Sequence, residues 1–503
     1  MNNKFVRSLS VFFLLVLACT ARGQDTPFNR PVELPARLIL KNLAPRSSEP
    51  MYYRLPQIIE RRLKNGLTLI MVPNYHSPSF DLTLCIDATS LSDPPDRTGV
   101  AEATAALMLQ GTRTRSAEEI SRAFANQKLD FVNSFGYGAR WRRLSLNGLV
   151  ETLESGLEIV ADLVLNPAFP ANEIERWKAN RIAWWRQSWS RRNTVIYERF
   201  TEMLYQSDRR GIASAPPDVV ARLTREDILE FHQARYRPGT SRLAIVGNFD
   251  PERVTRMVEK YFGAWTPGAA EWPRVEINPP LPRSRVRIIN YPQSDETQLI
   301  IGNLAVHRFD DDYLAFALLN QILGGRPYGW DPASKYDAAA APSRLLARFA
   351  ERKGVRRVPL TDLSALKYLQ HFAVVTTTDA EHVQSTLDGI LAEFRSLQDG
   401  NISAEELENA KRAMITDLVS RLEGSYWLCH QVLEYDLLPR GYWDNYATML
   451  SRISVEDIQR VARKYLPTSN VQILALGPAE KLSQSLLRYG PVEKFDPETA
   501  ESN

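Results

Sequence analysis

Only six histidines occur in 503 residues, and no two of them stand three to five positions apart. That excludes the pair of imidazoles one helical turn apart on which catalytic zinc helices depend. Cysteine is scarcer still, with Cys19, Cys85 and Cys429 making up the whole complement, too few for a disulfide framework. Cys85, in the strand-like run DLTLCIDA, and Cys429, in a helical run, read as buried apolar fillers, a disulfide between them being the alternative in an oxidising compartment. Beyond the first residues no stretch reaches the roughly 18 uninterrupted apolar positions that a spanning helix needs. A net charge of +3 is too small to imply a nucleic-acid partner.

What is present describes a folded, exported protein. Hydrophobic residues make up 44% and charged residues 24%, a globular balance, and at roughly 150 residues per domain the length allows about three units. The opening MNNKFVRSLSVFFLLVLACTARGQ sets Lys4 and Arg7 ahead of an apolar run, the build of a secretory signal over residues 1–23. Two processing routes are open: cleavage before Gln24, or lipid attachment at Cys19 after Val16-Leu17-Ala18, which would tether the protein to an envelope membrane. Residues 24–56, punctuated by five prolines from Pro27 to Pro50, read as an extended arm.

The chain then repeats itself. LTREDILEFHQARYRPGTSRLAIVG, from Leu223, is echoed by ISVEDIQRVARKYLPTSNVQILALG, from Ile453. Each copy has a Ser or Thr three residues before an Asp to open a helix, a Tyr-x-Pro to break it and an apolar strand ending in glycine. Both ends of the two copies stand 230 residues apart, a period that means duplicated domains. SGLEIVADLVLN with NEIERWKANRIA is echoed more loosely by DGILAEFRSLQDG with AEELENAKRAMI. The expected fold is α+β: a half at 57–265, a proline-rich linker at 266–284, a second half at 285–490 and a tail at 491–503.

LKNGLTLIMVPN from Leu63, the loop from Ser92 to Gly99, and QGT at Gln110 followed by SAEEI together resemble the pitrilysin and insulinase family of inverted-motif zinc peptidases. The resemblance covers about residues 57–490 and implies a clam shell of two related halves, with the linker as hinge. It also implies a helix carrying H-x-x-E-H, whose two histidines hold zinc and whose glutamate activates the bound water. In register with GVAEATAALMLQGT, those three positions fall on Glu102, Ala105 and Ala106. The family's third ligand, a glutamate after a segment like NPAFPANEIERW, falls near Ala183 or Trp184. A methyl has no lone pair and indole only donates, so no metal and no catalytic residue are expected here. Glu102 reads as a surface or ion-paired helix carboxylate, a lone metal ligand being the alternative, and His232 as a half-buried helix residue.

In competent relatives the second half supplies an arginine and a tyrosine over the zinc, and the resemblance places these at Arg344, in SRLLARFAERKG, and at Arg357 in place of the tyrosine, with Tyr368 as the alternative. A helix-terminal ion pair is the other reading of Arg344. Residues 326–342, with Tyr328, Trp330 and Tyr336, insert into the family pattern as an aromatic loop suited to a partner contact or to surface packing. RWKANRIAWWRQSWSRRN, from Arg176, reads as a long helix with tryptophans inward and arginine heads in water, or as a mix able to stack bases or hold a membrane interface; the resemblance implies that it forms a basic aromatic chamber wall favouring acidic or aromatic peptides. The leading functional expectation is a non-catalytic partner subunit, in a heterodimer with an active homologue of the bacterial envelope that degrades or processes peptides. A stand-alone peptide-binding scaffold and an active zinc endopeptidase are the alternatives.

Overall fold

TLIMVP at 68–73 and SRLAIVG at 241–247 are apolar on both alternating faces, which is stable only in a sheet covered on both sides. Both are inner strands in the computed structural model, which describes residues 56–495 apart from 135–141, 189–191, 207–214, 271–277, 325–342, 366–368 and 434–440. The leader with Cys19, the arm up to residue 55, the 326–342 insertion and Tyr368 lie outside the described residues.

The first half contributes strands β1 (Ile59–Arg62), β2 (Thr68–Pro73), β3 (Ser79–Ile86), β4 (Asp130–Ser134), β5 (Arg142–Leu149) and β6 (Ser241–Gly247). Its main helices are α1 (Val100–Leu107), α2 (Leu153–Leu165), α3 (Ala171–Ser188), α4 (Arg192–Tyr205), α5 (Arg225–Arg235) and α6 (Pro251–Phe262). The second half contributes β7 (Arg285–Asn290), β8 (Glu296–Leu304), β9 (Val355–Ala365), β10 (Gln370–Asp379), β11 (Gln472–Gly477) and β12 (Val492–Phe495). Its main helices are α7 (Tyr313–Leu323), α8 (Arg344–Phe349), α9 (Val383–Gln398), α10 (Ala404–Glu423), α11 (Ser425–Leu433) and α12 (Val455–Tyr465).

The strands form two six-stranded sheets, ordered β1-β2-β6-β3-β5-β4 and β12-β7-β11-β8-β10-β9. From β2 to β4 and from β7 to β9 the pattern is the same: one parallel pair, then antiparallel pairs throughout. The outer strand differs. β1 precedes β2 and runs antiparallel to it, whereas β12 arrives from the other end of the half and runs parallel to β7. Val492–Phe495, expected as part of a tail, is therefore a sheet edge. The duplicated capping signal is real chemistry: Thr224 with Asp227 and Ser454 with Asp457 each form a reciprocal box opening α5 and α12.

Each half lends one helix to the other. α4 lays Val195, Ile196, Phe200 and Leu204 on the second sheet, against Ile300, Leu304, Ala373, Leu474 and Leu476. The intervening Ile473 and Ala475 of β11 face the opposite way, into the second half's own helices. α11 returns the exchange on the first sheet, where Leu428, Cys429 and Val432 share one core with Ile70, Val72, Cys85, Ala244 and Val246. Leu243 and Ile245 point to the first half's own helices.

Polar pins fix both loans. The Gln370 amide donates to the Tyr205 hydroxyl at 2.9 Å, and that hydroxyl lies 3.2 Å from His371 Nδ1; His371 Nε2 lies 3.0 Å from the Tyr197 hydroxyl, which donates to Asp362. On the other sheet Arg143 donates to His430 Nδ1 at 2.8 Å, and Arg242 to the Leu433 carbonyl at 3.2 Å. The linker is thus not the sole connection between the halves. Cys85 and Cys429 are buried in this shared core without a disulfide between them, as fillers, with the Cys429 thiol donating to the Asp81 carbonyl.

Candidate functional site

α1 begins at Gly99, whose φ of 94° and close approach to Ala215 suit a residue without Cβ. The buried Asp93 carboxylate accepts from the Gly99 and Ala101 amides at 2.7 and 2.9 Å, satisfying two of the helix's first donors. This start fixes the rotation of α1, so that Glu102, Ala105 and Ala106 share one face. α3 packs against it with Trp177, Asn180, Arg181 and Trp184, the i, i+3, i+4, i+7 face of that helix. Arg142 at the start of β5 and Asn133 of β4 close the floor. Together these residues line a cavity of about 520 Å³.

Two guanidinium groups and one carboxylate set its electrostatics. Arg181 Nε lies 2.9 and 3.0 Å from the two Glu102 oxygens, and its guanidinium carbon stacks 4.2 Å over the Trp184 ring. The arginine side chain is 7% exposed and the glutamate 23%, so water screens the pair only in part. Arg142, 1% exposed, donates to the Ala105 carbonyl at 3.2 Å and to the Asn133 amide oxygen. Burial pulls the Arg142 pKa below its ordinary value, while Tyr236 and Glu102 act the other way.

The donor set does not fit zinc. Ala105 and Ala106 offer methyls where a general base and a ligand would be needed, and Trp184 offers an indole. The carboxylate that remains, Glu102, is held by a cation. Among the described residues no group of three or more His, Cys, Asp or Glu side chains could hold a metal ion. Of the two positions considered for the family's third ligand, Trp184 lines the cavity and Ala183 is exposed.

The structure does not bring the second-half residues to this place. The Arg344 guanidinium makes a two-pronged bond to Glu406 of α10, at 2.7 Å for each prong, and reaches Ser396 of α9 at 3.3 Å. That is the ion-pair reading, tying α8 to two neighbours. Arg357 lies on β9, outside the cavity lining, its carbonyl accepting from Thr376 at 2.6 Å. His232 is half-buried, 2.9 Å from the Val164 carbonyl, and burial pushes it down to about 4.

The inward-tryptophan reading of α3 needs one correction. Trp177 packs on the first-half core, but Arg181 is itself buried, because Glu102 supplies the countercharge that lets it leave water. Arg142 was not singled out from the sequence, although a signal existed: it has the parity of the buried Leu144 and Leu146 on β5, so it must point inward.

A family model described as "Insulinase (Peptidase family M16)" matches residues 70–218, and one described as "Peptidase M16 inactive domain" matches residues 222–414. The chain is 23% identical over 439 residues to the mitochondrial-processing peptidase subunit beta of Saccharomyces cerevisiae, covering 84% of this chain and 92% of the relative. It is 19% identical over 421 residues to the uncharacterized zinc protease YmxG of Bacillus subtilis, covering 83% and 97%. Among solved structures, a peptidase M16 inactive domain from Pseudomonas fluorescens superposes with a TM-score of 0.71 at 22% identity, covering 84% of this chain and 98% of that one. A protease from Helicobacter pylori does so with a TM-score of 0.73 at 19% identity, covering 84% and 100%. With matching models over both halves, the chain belongs to the insulinase family of peptidases, family M16.

Proposed function

We propose that this protein is a non-catalytic member of its family, acting in the cell envelope as the partner of an active, zinc-bearing homologue in peptide degradation or processing. One observation carries the reading. The two-sheet architecture is complete, yet the helix that the family resemblance gives to the metal carries Glu102, tied to Arg181, and two alanines, beside the Trp184 indole. A fold kept whole without its ligands is suited to assembly, and relatives that align along most of this chain are named as subunits of a processing peptidase.

The cavity itself favours a second reading, a stand-alone peptide-binding protein. Tagged protein recovered from its native envelope should carry a homologue with an intact H-x-x-E-H motif, and peptide cleavage should rise when the two are mixed. Recovery of no such homologue, with peptide binding retained, selects the second reading. Chelator-sensitive cleavage by the isolated chain contradicts both.

A further inference from the structure

We propose that the cavity between α1 and α3 is a binding site for a peptide carboxylate, gripped by the guanidinium groups of Arg142 and Arg181 between the indoles of Trp177 and Trp184. The proposal rests on the reading that zinc has no place here, and adds the ligand class that takes its space. Charge is the first reason: the described lining carries two guanidinium groups and the single carboxylate of Glu102. Burial is the second. Arg142 is 1% and the Arg181 side chain 7% exposed, so water screens their attraction for an anion in the cavity only in part.

The shape agrees with the charge. Arg142 and Asn133 form the floor, while Asn180 is exposed and Ala106 half-buried, which places the mouth between the helices. Ala105 and Ala106 leave room that longer side chains would fill. Stacking on Trp184 covers one face of Arg181, and guanidinium groups recognise carboxylates edge-on. The indoles offer apolar walls to the rest of the peptide. A volume of about 520 Å³ accommodates a carboxylate side chain or chain terminus with its neighbours.

In this arrangement Glu102 is a built-in competitor for Arg181, which makes the proposal testable by a gain. Calorimetric titration of the full chain would use three N-acetylated pentapeptides of otherwise identical apolar sequence. One has a central glutamate and an amidated end, one a central glutamine and an amidated end, and one a central glutamine and a free terminal carboxylate. At least one acid peptide should bind about tenfold or more tighter than the neutral one, and the tighter of the two identifies whether a side chain or a terminus is taken. Glu102→Gln should tighten the acid peptide severalfold, which misfolding cannot imitate, and Arg181→Gln should weaken it about tenfold. Equal binding of acid and neutral peptides, no binding of either acid peptide, no gain in Glu102→Gln, or equal competition by inorganic phosphate would each overturn the proposal. Zinc measured in the same preparation separates the failures: stoichiometric zinc removes the non-catalytic reading, whereas zinc-free protein that ignores the acid group removes the carboxylate site alone.

Discussion

The guanidinium of Arg181 sits 2.9 Å from Glu102 Oε1, joining α3 to α1. Removing Glu102 strands the Arg181 side chain, which is 7% exposed. Glu102→Ala is expected to lower the unfolding free energy by about 2–4 kcal/mol, and Glu102→Ala with Arg181→Met to recover most of it. Urea denaturation of the four proteins of that cycle measures the coupling. Additive losses would show that the pair is only a surface contact.

Rebuilding the motif on α1 alone should not restore metal binding. Glu102→His, Ala105→Glu and Ala106→His together leave the Arg181 cation and the Trp184 indole facing the new ligands. Only with Arg181→Gln and Trp184→Glu added is retention of about one zinc per chain expected, as read by elemental analysis after gel filtration. Full zinc retention by the triple variant would show that the arginine does not oppose the metal.

The exchanged helices make the halves interdependent. Phe200 of α4 is fully buried on the second sheet, and Phe200→Ala is expected to cost about 3–4 kcal/mol. Probes placed in either half should report one shared unfolding transition. Residues 57–265 produced alone should aggregate, because α4 loses its sheet and the first sheet loses α11, while co-production with residues 285–495 should yield a soluble complex. A soluble, folded first half on its own would show the exchange to be dispensable.

Acid should weaken the fold through histidines held neutral. Burial, then the Arg143 guanidinium, push His430 down to about 3, and burial pushes His232 down to about 4. Unfolded, each titrates near 6.5, so the unfolded chain takes up protons that the folded chain refuses. Their contribution is therefore complete above about pH 6.5 and is lost as the pH falls toward 4 and 3. Asp81, which burial pushes up to about 6, acts oppositely but is one group against two. Between pH 7 and 5 the His430 share is roughly 1–2 kcal/mol. Thermal unfolding followed against pH should show this slope, and His430→Gln should flatten it; an unchanged slope in the variant would refute the assignment.

Arg344 is expected to matter for stability rather than for a partner's chemistry. Arg344→Lys keeps the charge but loses the two-pronged bond to Glu406, and should cost about 1–2 kcal/mol. In the mixing assay it should leave the partner's cleavage rate unchanged. A lower rate at full stability would return Arg344 to the substrate.

The duplicated fold was legible because its markers are local: the capping boxes at Thr224 and Ser454 and the strands ending at Gly247 and Gly477 are written in consecutive residues. Also legible was the pair of alanines, Ala105 and Ala106, that stand within one turn of α1 where the family resemblance expects a base and a ligand. What the sequence hid is long-range. Periodicity shows that α4 has an apolar face but not that the face belongs on the other half's sheet. Arg181 and Glu102 are separated by 79 positions, and no pattern in α3 marks that one of its several cations turns inward. The edge strand at Val492–Phe495 is short and alternates weakly, so only its pairing with β7 reveals it.

The metal content of the isolated chain, measured after incubation with excess zinc and removal of unbound ion, tests the central claim most directly. The account predicts background zinc and no peptide cleavage by the chain alone. About one zinc per chain, bound at α1 and lost to chelator together with a peptidase activity, would contradict it.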